Sequence, residues 1–371
     1  MILDDAAFMQ RAIGLARRAN GETHPNPLVG AVLVEDGRIV AEGWHAKAGG
    51  PHAEVAALSA LGRAPLPGAT LYVTLEPCST HGRTPPCCEA IVRAGIKRVV
   101  VGATDPNPLH AGRGQAFLRA HGVEVVDGVL ADECAGLNPI FNHVIRAKRP
   151  LVAAKMALTL DGCMATRTGD SKWITGPVAQ ADCMRWRRYF PSIVVGAGTV
   201  LGDNPSLTAR LPDATWCPRR FVLDRTLGGV RADAPLPALY SDAHVARTTV
   251  VTTADADAVA RARLDAAGVQ VWTMPTGVSA DFLRAFVDRC GAEGLDGIYV
   301  EGGPTLHRAL FRARIPGYLF AYVAPVVLGD REGRSPFDFA APNFLREALR
   351  LGQPLTETLG PDVLLRGTIG W

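Results

Sequence analysis

The sequence predicts an α/β protein of two domains, and three observations carry that reading. Short apolar runs alternate with helix-period segments along most of the chain, as in layered sheets with some parallel strands. The chain has 371 residues, more than the ~100–200 of one ordinary domain. The short charged segment Arg146–Pro150 (RAKRP) separates two stretches, and after it the pattern starts afresh. The expected division is residues 1–146 and 150–371.

In the first stretch, Phe8, Met9, Ala12, Ile13, Leu15, Ala16 and Ala19 recur at helical spacing between Asp4, a capping residue, and Gly21. Leu28–Val34 and Ile39–Trp44 are apolar runs joined through Asp36-Gly37, the strong hairpin signal. Pro51 opens an Ala-rich helix over His52–Leu61. Strands follow at Ala69–Leu75, Arg98–Ala103 and Val123–Val126, with helices at Cys87–Ala94 and Gly114–Ala120. A last helix is read over Asp132–Ile145, broken or kinked at Pro139.

The second stretch reads as strand Leu151–Leu158, helix Pro177–Arg188 and strands Ile193–Val195, Arg220–Asp224 and Thr248–Thr252. Helix Asp281–Cys290, strand Gly297–Val300, helix Thr305–Phe311 and strand Tyr318–Val323 complete it.

Composition narrows the function. Net charge is +3 and both halves are close to neutral, which argues against a module that neutralises many phosphates of a nucleic acid. No apolar run approaches the ~18–20 residues of a membrane span. The start, MILDDAAF, is acidic, unlike a secretory or transit leader. A cytoplasmic protein with no nucleic-acid or membrane partner is expected. Its eight cysteines are then free or metal-bound rather than disulfides.

Three of those cysteines fall within EPCSTHGRTPPCC, Glu76–Cys88. Upstream stands His52-Ala53-Glu54. One His and two Cys, with a fourth position left for water, is the ligand set of a catalytic zinc. His52, Cys78 and Cys87 are the expected ligands. Zinc brings the pKa of bound water towards ~7, and a carboxylate must then carry a proton from that water to a leaving amine. Glu54 is the candidate. Residues i and i+2 of a helix diverge, so His52 and Glu54 must lie at a helix start if they are to meet. A Cys87–Cys88 disulfide would be strained, and no Cys-x-x-Cys suggests a redox pair.

Zinc deaminases carry His-x-Glu followed by Pro-Cys-x-x-Cys, whereas here eight residues, Ser79–Pro86, separate the cysteines. With that insertion, the segments HPNPLVG (His24–Gly30), PHAEV (Pro51–Val55), EPCSTHGRTPPCCEAI (Glu76–Ile91) and DPNP (Asp105–Pro108) resemble the bifunctional deaminase–reductases of riboflavin biosynthesis. The resemblance implies a cytidine-deaminase-like three-layer α/β/α domain, zinc on His52, Cys78 and Cys87, and Glu54 as proton carrier. It implies a phosphorylated pyrimidine substrate contacted by Asn26, His81 and Arg83, and makes Cys88 a packing residue.

In the second stretch, Val300-Glu301-Gly302-Gly303-Pro304-Thr305 is a strand, a glycine turn and a helix start, which offers backbone N–H groups to a phosphate. Gly196-x-Gly198-x-x-x-Gly202 misses the Rossmann spacing, so no Rossmann domain is expected. KMALTLDG (Lys155–Gly162), GDSKWITG (Gly169–Gly176), Val194–Arg210 and Val300–Leu310 resemble the reductase half of the same enzymes. That resemblance implies a dihydrofolate-reductase-like fold, NADPH as second cofactor and a homo-oligomer held through this domain. It places NADP on Ala157, Trp173, Thr199, Asp203 and Gly303, Pro304, Thr305, Leu306, His307, Arg308 and Ala309. It places substrate on Ser171, Arg187, Leu207, Arg210 and Glu301. Trp186 stands where family members carry Leu, and Ala157 replaces a small residue that is often glycine. Lys155 reads equally as an electrostatic aid near the ribose and as a strand-edge charge. Asp161-Gly162 reads as a turn. The competing reading is a mono-functional nucleotide or tRNA deaminase with a degenerate second domain; action on a nucleic acid would need a basic surface.

Overall fold

The computed structural model describes residues 4–81, 85–330, 332–339 and 342–371. The chain divides into two compact units, Met1–Lys148 and Arg149–Trp371.

In the first unit, the Asp4 carboxylate accepts the Ala7 N–H at 2.9 Å and so caps α1 (Asp5–Ala16). Strands β1 (Gly30–Glu35) and β2 (Arg38–Trp44) pair antiparallel across Asp36-Gly37. Then come α2 (Ala53–Leu61), β3 (Thr70–Leu75), α3 (Cys87–Arg93), β4 (Arg98–Ala103), α4 (Arg113–Ala120) and β5 (Glu124–Asp127). The helix expected over Asp132–Ile145 is two helices, α5 (Ala131–Ala135) and α6 (Pro139–Ala147). The break falls before Pro139, which lacks an N–H and sits at the first position of α6, where none is needed.

The sheet order is β2-β1-β3-β4-β5. β1 is antiparallel to β3, whereas β3, β4 and β5 are parallel. Ala31, Leu33, Val73, Val99 and Val101 pack on α2, α3 and α4 through Ala53, Ala57, Cys88, Ile91 and Leu118. Gly30 and Gly102, pointing the other way, lie against α1 and α5. The unit is therefore three layers, α/β/α. Gly43 lets α2 press onto the sheet: a Cβ there would sit 2.3 Å from the Ala57 nitrogen. Because β1 and β3 are antiparallel, the segment entering β1 and the one leaving β3 meet at one end of the sheet. That end is where ligands collect in α/β sheets.

The second unit begins with β6 (Leu151–Leu158), α7 (Pro177–Tyr189), β7 (Ser192–Gly196) and α8 (Ala197–Asp203). The two-residue strands β8 (Ala209–Arg210) and β9 (Thr215–Trp216) form a small ribbon. β10 (Arg219–Leu223), β11 (Thr248–Thr253), α9 (Ala258–Ala266), β12 (Gln270–Met274) and α10 (Ser279–Ala292) follow. β13 (Gly297–Val300), α11 (Pro304–Arg312), β14 (Tyr318–Val323), β15 (Leu351–Leu359) and β16 (Asp362–Ile369) complete the unit. α8, α9, β12 and the final hairpin go beyond the elements read from the sequence.

The nine-stranded sheet runs β12-β11-β10-β7-β13-β6-β14-β16-β15. Its strands are parallel except for β16, which is antiparallel to β14 and β15. β6 is therefore central, and Lys155 is not on a strand edge. The Trp186 ring, 4.6 Å from Phe320, lies under the Arg366 guanidinium at 5.1 Å, so this departure from Leu is a packing change.

Candidate active sites

The first site lies at the end of the sheet where β1 enters and β3 leaves. His52 is the N-cap of α2, with extended backbone (φ −70°, ψ 159°), and Glu54 stands in the first turn. The divergence of i and i+2 on a helix does not apply, because His52 is not yet helical. Cys78 lies on the loop after β3, and Cys87 is the first residue of α3. Cys87 N–H points to the Cys78 sulfur at 3.3 Å, which folds the loop back on itself.

The donor atoms of His52, Cys78 and Cys87 all lie within 4.8 Å of one another. His52 Nδ1 is 3.2 Å from Cys87 Sγ and 3.6 Å from Cys78 Sγ. Tetrahedral zinc with ordinary bond lengths places N and S ligands about 3.5 Å apart, so these residues fit the ion. The thiols are coupled. Cys78 is pulled down to about 4, chiefly by its hydrogen bond with Cys87, while the same bond and burial push Cys87 up. A divalent cation would favour thiolate at both.

Glu54 is 3% exposed and lines the adjoining cavity. Burial raises its carboxyl to about 7, so it can both take and give a proton near neutral pH. Asn26 lines the same cavity, and its side-chain nitrogen is 3.2 Å from His45 Nε2. His45 Nδ1 is 2.9 Å from the Pro51 carbonyl, which can only accept. The proton is therefore on Nδ1, Nε2 accepts from the Asn26 amide, and the Asn26 oxygen is left for a ligand.

Glu76 also lines the cavity, and its carboxylate accepts the N–H groups of Asp105, Gly112 and Gly114 at 2.8–3.0 Å. Neither His45 nor Glu76 is marked as functional by the sequence. A lone histidine seven residues before His52 carries no pattern, and Glu76 shows its role only once three amides converge on it. Cys88 is fully buried, with its thiol on the Pro77 and Gly114 carbonyls. His81 is exposed, 3.6 Å from Glu89, and is not on the cavity wall. Arg83 lies outside the described residues.

The second site is a cleft of about 460 Å³ at the carboxyl ends of β6, β7 and β13. Ala157, Ser171, Thr199, Asp203, Glu301 and the run Gly303–Leu306 line it, together with Lys155. Gly303 N–H donates to Thr199 Oγ1 at 3.2 Å, which fixes the turn before α11. Hydroxyls, a lysine and a helix start suit the phosphates and sugars of a dinucleotide, so the cleft's chemistry fits NADPH.

The other candidates lie off the cleft wall. Trp173 is 80% exposed. Leu207 is buried in the core beside Ile193 and Val222. Arg210, on β8, donates to Ser206 Oγ at 2.9 Å. Arg308 donates to the Ser335 carbonyl at 2.7 Å, and Ala309 packs on the core. His307 is fully buried, and burial, with Lys155 adding, brings its pKa down to about 4, so it is neutral. Arg187 grips Glu301 in a two-pronged pair at 2.5 and 2.9 Å, and Lys155 Nζ stands 3.9 Å from the same carboxylate. Asp161 is more than a turn: its carboxylate accepts from Thr159 Oγ1 and from the Leu328 and Gly329 amides.

A three-layer domain with a His-Cys-Cys cluster and a buried glutamate, followed by a parallel-sheet domain with a dinucleotide-type cleft, defines a two-headed enzyme: a zinc deaminase joined to a reductase. Residues 3–103 match the family described as the cytidine and deoxycytidylate deaminase zinc-binding region, and residues 150–365 match the RibD C-terminal domain. The riboflavin biosynthesis protein RibD of Actinobacillus pleuropneumoniae is 42% identical over 98% of this chain and 95% of its own. Its namesake from Escherichia coli is 36% identical over 98% and 99%. The crystal structure of a diaminohydroxyphosphoribosylaminopyrimidine deaminase/5-amino-6-(5-phosphoribosylamino)uracil reductase from Thermotoga maritima superposes with a TM-score of 0.74. It is 35% identical and covers 99% of both chains. Acinetobacter baumannii RibD gives a TM-score of 0.70 at 35% identity, again over 99% of both. The chain belongs to the RibD family of riboflavin biosynthesis proteins. The cofactors that go with its two halves are Zn2+ and NADPH.

Proposed function

We propose that this chain performs two successive steps of riboflavin biosynthesis. The first is hydrolytic deamination of 2,5-diamino-6-(5-phosphoribosylamino)pyrimidin-4(3H)-one to 5-amino-6-(5-phosphoribosylamino)uracil. The second is NADPH-dependent reduction of the ribosyl group to ribityl. The observation that carries the reading is the pairing of His52, Cys78 and Cys87 with the buried carboxyl of Glu54 beside one cavity.

Zinc, when bound, supplies hydroxide near neutral pH. Asn26, held by His45, offers its amide oxygen to an N–H of the pyrimidine. Glu54 takes the proton released by water and delivers it to the departing amine, so ammonia leaves neutral. The loop tied to Glu76 closes one wall of the cavity. In the cleft of the second unit, hydride from NADPH and one proton convert the opened ribosyl carbon to CH2. Lys155 and Glu301 stand at the wall where that charge changes, and Thr199 with the Gly303 turn orients the dinucleotide.

Finer points belong to the same reading: a cytoplasmic location, and a homo-oligomer held through the reductase unit. Sedimentation of the purified protein tests the assembly. The decisive test follows ammonia release and NADPH oxidation by the single chain on the diaminopyrimidine phosphate. Ammonia without NADPH oxidation, on a substrate already deaminated as well, would reduce the protein to a mono-functional deaminase.

A further inference from the structure

Arg334 also lines the reductase cleft, and the candidate binding residues above do not include it. Its position is fixed from several sides. Its backbone N–H donates to the Ala165 carbonyl at 2.9 Å, and its carbonyl accepts from Met164 at 3.0 Å. Upstream, Asp161 holds the Leu328 and Gly329 amides. Downstream, Arg308 of α11 holds the Ser335 carbonyl. The segment bearing Arg334 is thus strapped both to the loop after β6 and to α11.

The guanidinium lies flat against Gly169. A Cβ at Gly169 would stand 3.2 Å from its Nη1, and the Gly169 φ of +97° is one that other residues rarely adopt. One further contact is spent on protein: Nη2 donates to the Arg167 carbonyl at 3.2 Å. Among the described residues no carboxylate lies within ion-pair distance of Arg334, whereas Glu301 in the same cleft is matched by Arg187 and Lys155. A guanidinium carries five donors in a planar fork that fits phosphate oxygens. Arg334 lines the cleft together with Thr168 and with Gly303 and Thr305, the last two at the start of α11.

We propose that Arg334 is a phosphate ligand of the reductase cleft, clamping a phosphoryl group between its guanidinium and the start of α11. This deepens the assignment of the cleft to NADPH-dependent reduction and rests on it. The phosphoryl group belongs either to the dinucleotide or to the substrate's 5′-phosphate. Both are phosphate anions, and steady-state kinetics separates them.

The experiment uses the full chain with Arg334→Gln and Arg334→Lys. KM and kcat are measured for NADPH, for NADH and for the deaminated pyrimidine phosphate. Arg334→Gln is expected to raise one KM about ten-fold or more, with kcat changed far less. Arg334→Lys is expected to recover only part, because a point charge replaces a fork. A rise for NADPH but not NADH assigns the dinucleotide's 2′-phosphate. An equal rise for both assigns its pyrophosphate, and a rise for the pyrimidine alone assigns the 5′-phosphate. Unchanged KM values for all three overturn the proposal. A wild-type melting transition of the second unit in the same preparations shows that the reductase is folded. A wild-type protein that oxidises no NADPH would instead sink the reading of the cleft.

Discussion

Arg187 and Glu301 form a largely buried, two-pronged ion pair, with Glu301 on the wall of the reductase cleft and Arg187 behind it. Burial works against both charges, yet their mutual attraction outweighs it: Glu301 is held below its ordinary value and Arg187 above. Removing Arg187 takes away both charged hydrogen bonds and leaves the Glu301 carboxylate only Lys155, 3.9 Å away. Arg187→Met is expected to destabilise the second unit by about 2 kcal/mol, and Arg187→Met with Glu301→Leu by less. Urea unfolding of the two variants checks this. Equal losses would mean that the stability does not come from the pairing of the two charges.

The same pair sets an acid limit. A carboxylate lowered on folding contributes stability that is complete above its unfolded value, here 4.5, and is lost as pH falls through the lower folded value. Thermal melts from pH 6 down to pH 3 should therefore show the wild type losing more stability than the apolar double variant. Parallel curves would contradict the assignment.

Glu54→Gln keeps the shape of the side chain and removes its proton traffic. Ammonia release is expected to fall by about 10²–10⁴-fold. NADPH oxidation on the deaminated substrate should continue at the wild-type rate. Loss of both activities together would show that the two sites are not independent.

Zinc content should be one ion per chain, measured by mass spectrometry of the metal. Cys78→Ala or dialysis against a chelator should empty the site, stop ammonia release and lower the melting temperature of the first unit. The second unit should keep its own transition. Full deaminase activity in a preparation with far less than stoichiometric metal would refute the ligand assignment.

Glu76→Ala strands three backbone N–H groups that now meet one carboxylate. The first unit is expected to lose ~2 kcal/mol or more. His45→Phe fills the same space but releases the Asn26 amide, so KM for the diaminopyrimidine should rise about ten-fold while zinc content stays at one. An unchanged KM would show that Asn26 needs no such brace.

The metal site was largely legible in the sequence because its ligands sit at boundaries that sequence marks well. Pro51 announces the start of α2, and Cys87 follows a proline pair at the start of α3. Asp36-Gly37 announced the first hairpin for the same local reason. The last hairpin escaped because β15 is an edge strand. It carries Pro354 at an irregularity in its pairing, and its apolar alternation is weak. β12 is short and lies at the opposite edge. In the reductase cleft the limits were of another kind. Arg187 and Glu301 read as two separate ligands, and only the fold, which brings the end of α7 to the residue after β13, shows them holding each other. Arg334 lies in a segment with no period at all, and its place depends on contacts with residues 161–169, far away in sequence.

Of the eight cysteines, seven are buried, and Cys78 alone is partly open to solvent. An oxidant that reaches this protein therefore meets one accessible sulfur, and that sulfur belongs to the metal cluster. Injury would begin as the release of an ion rather than the collapse of a core. It would stay reversible by thiol reductant and fresh zinc until the sulfur passes beyond the sulfenic stage. Under oxidative stress the deaminating head would fall silent first, with the reducing head still running.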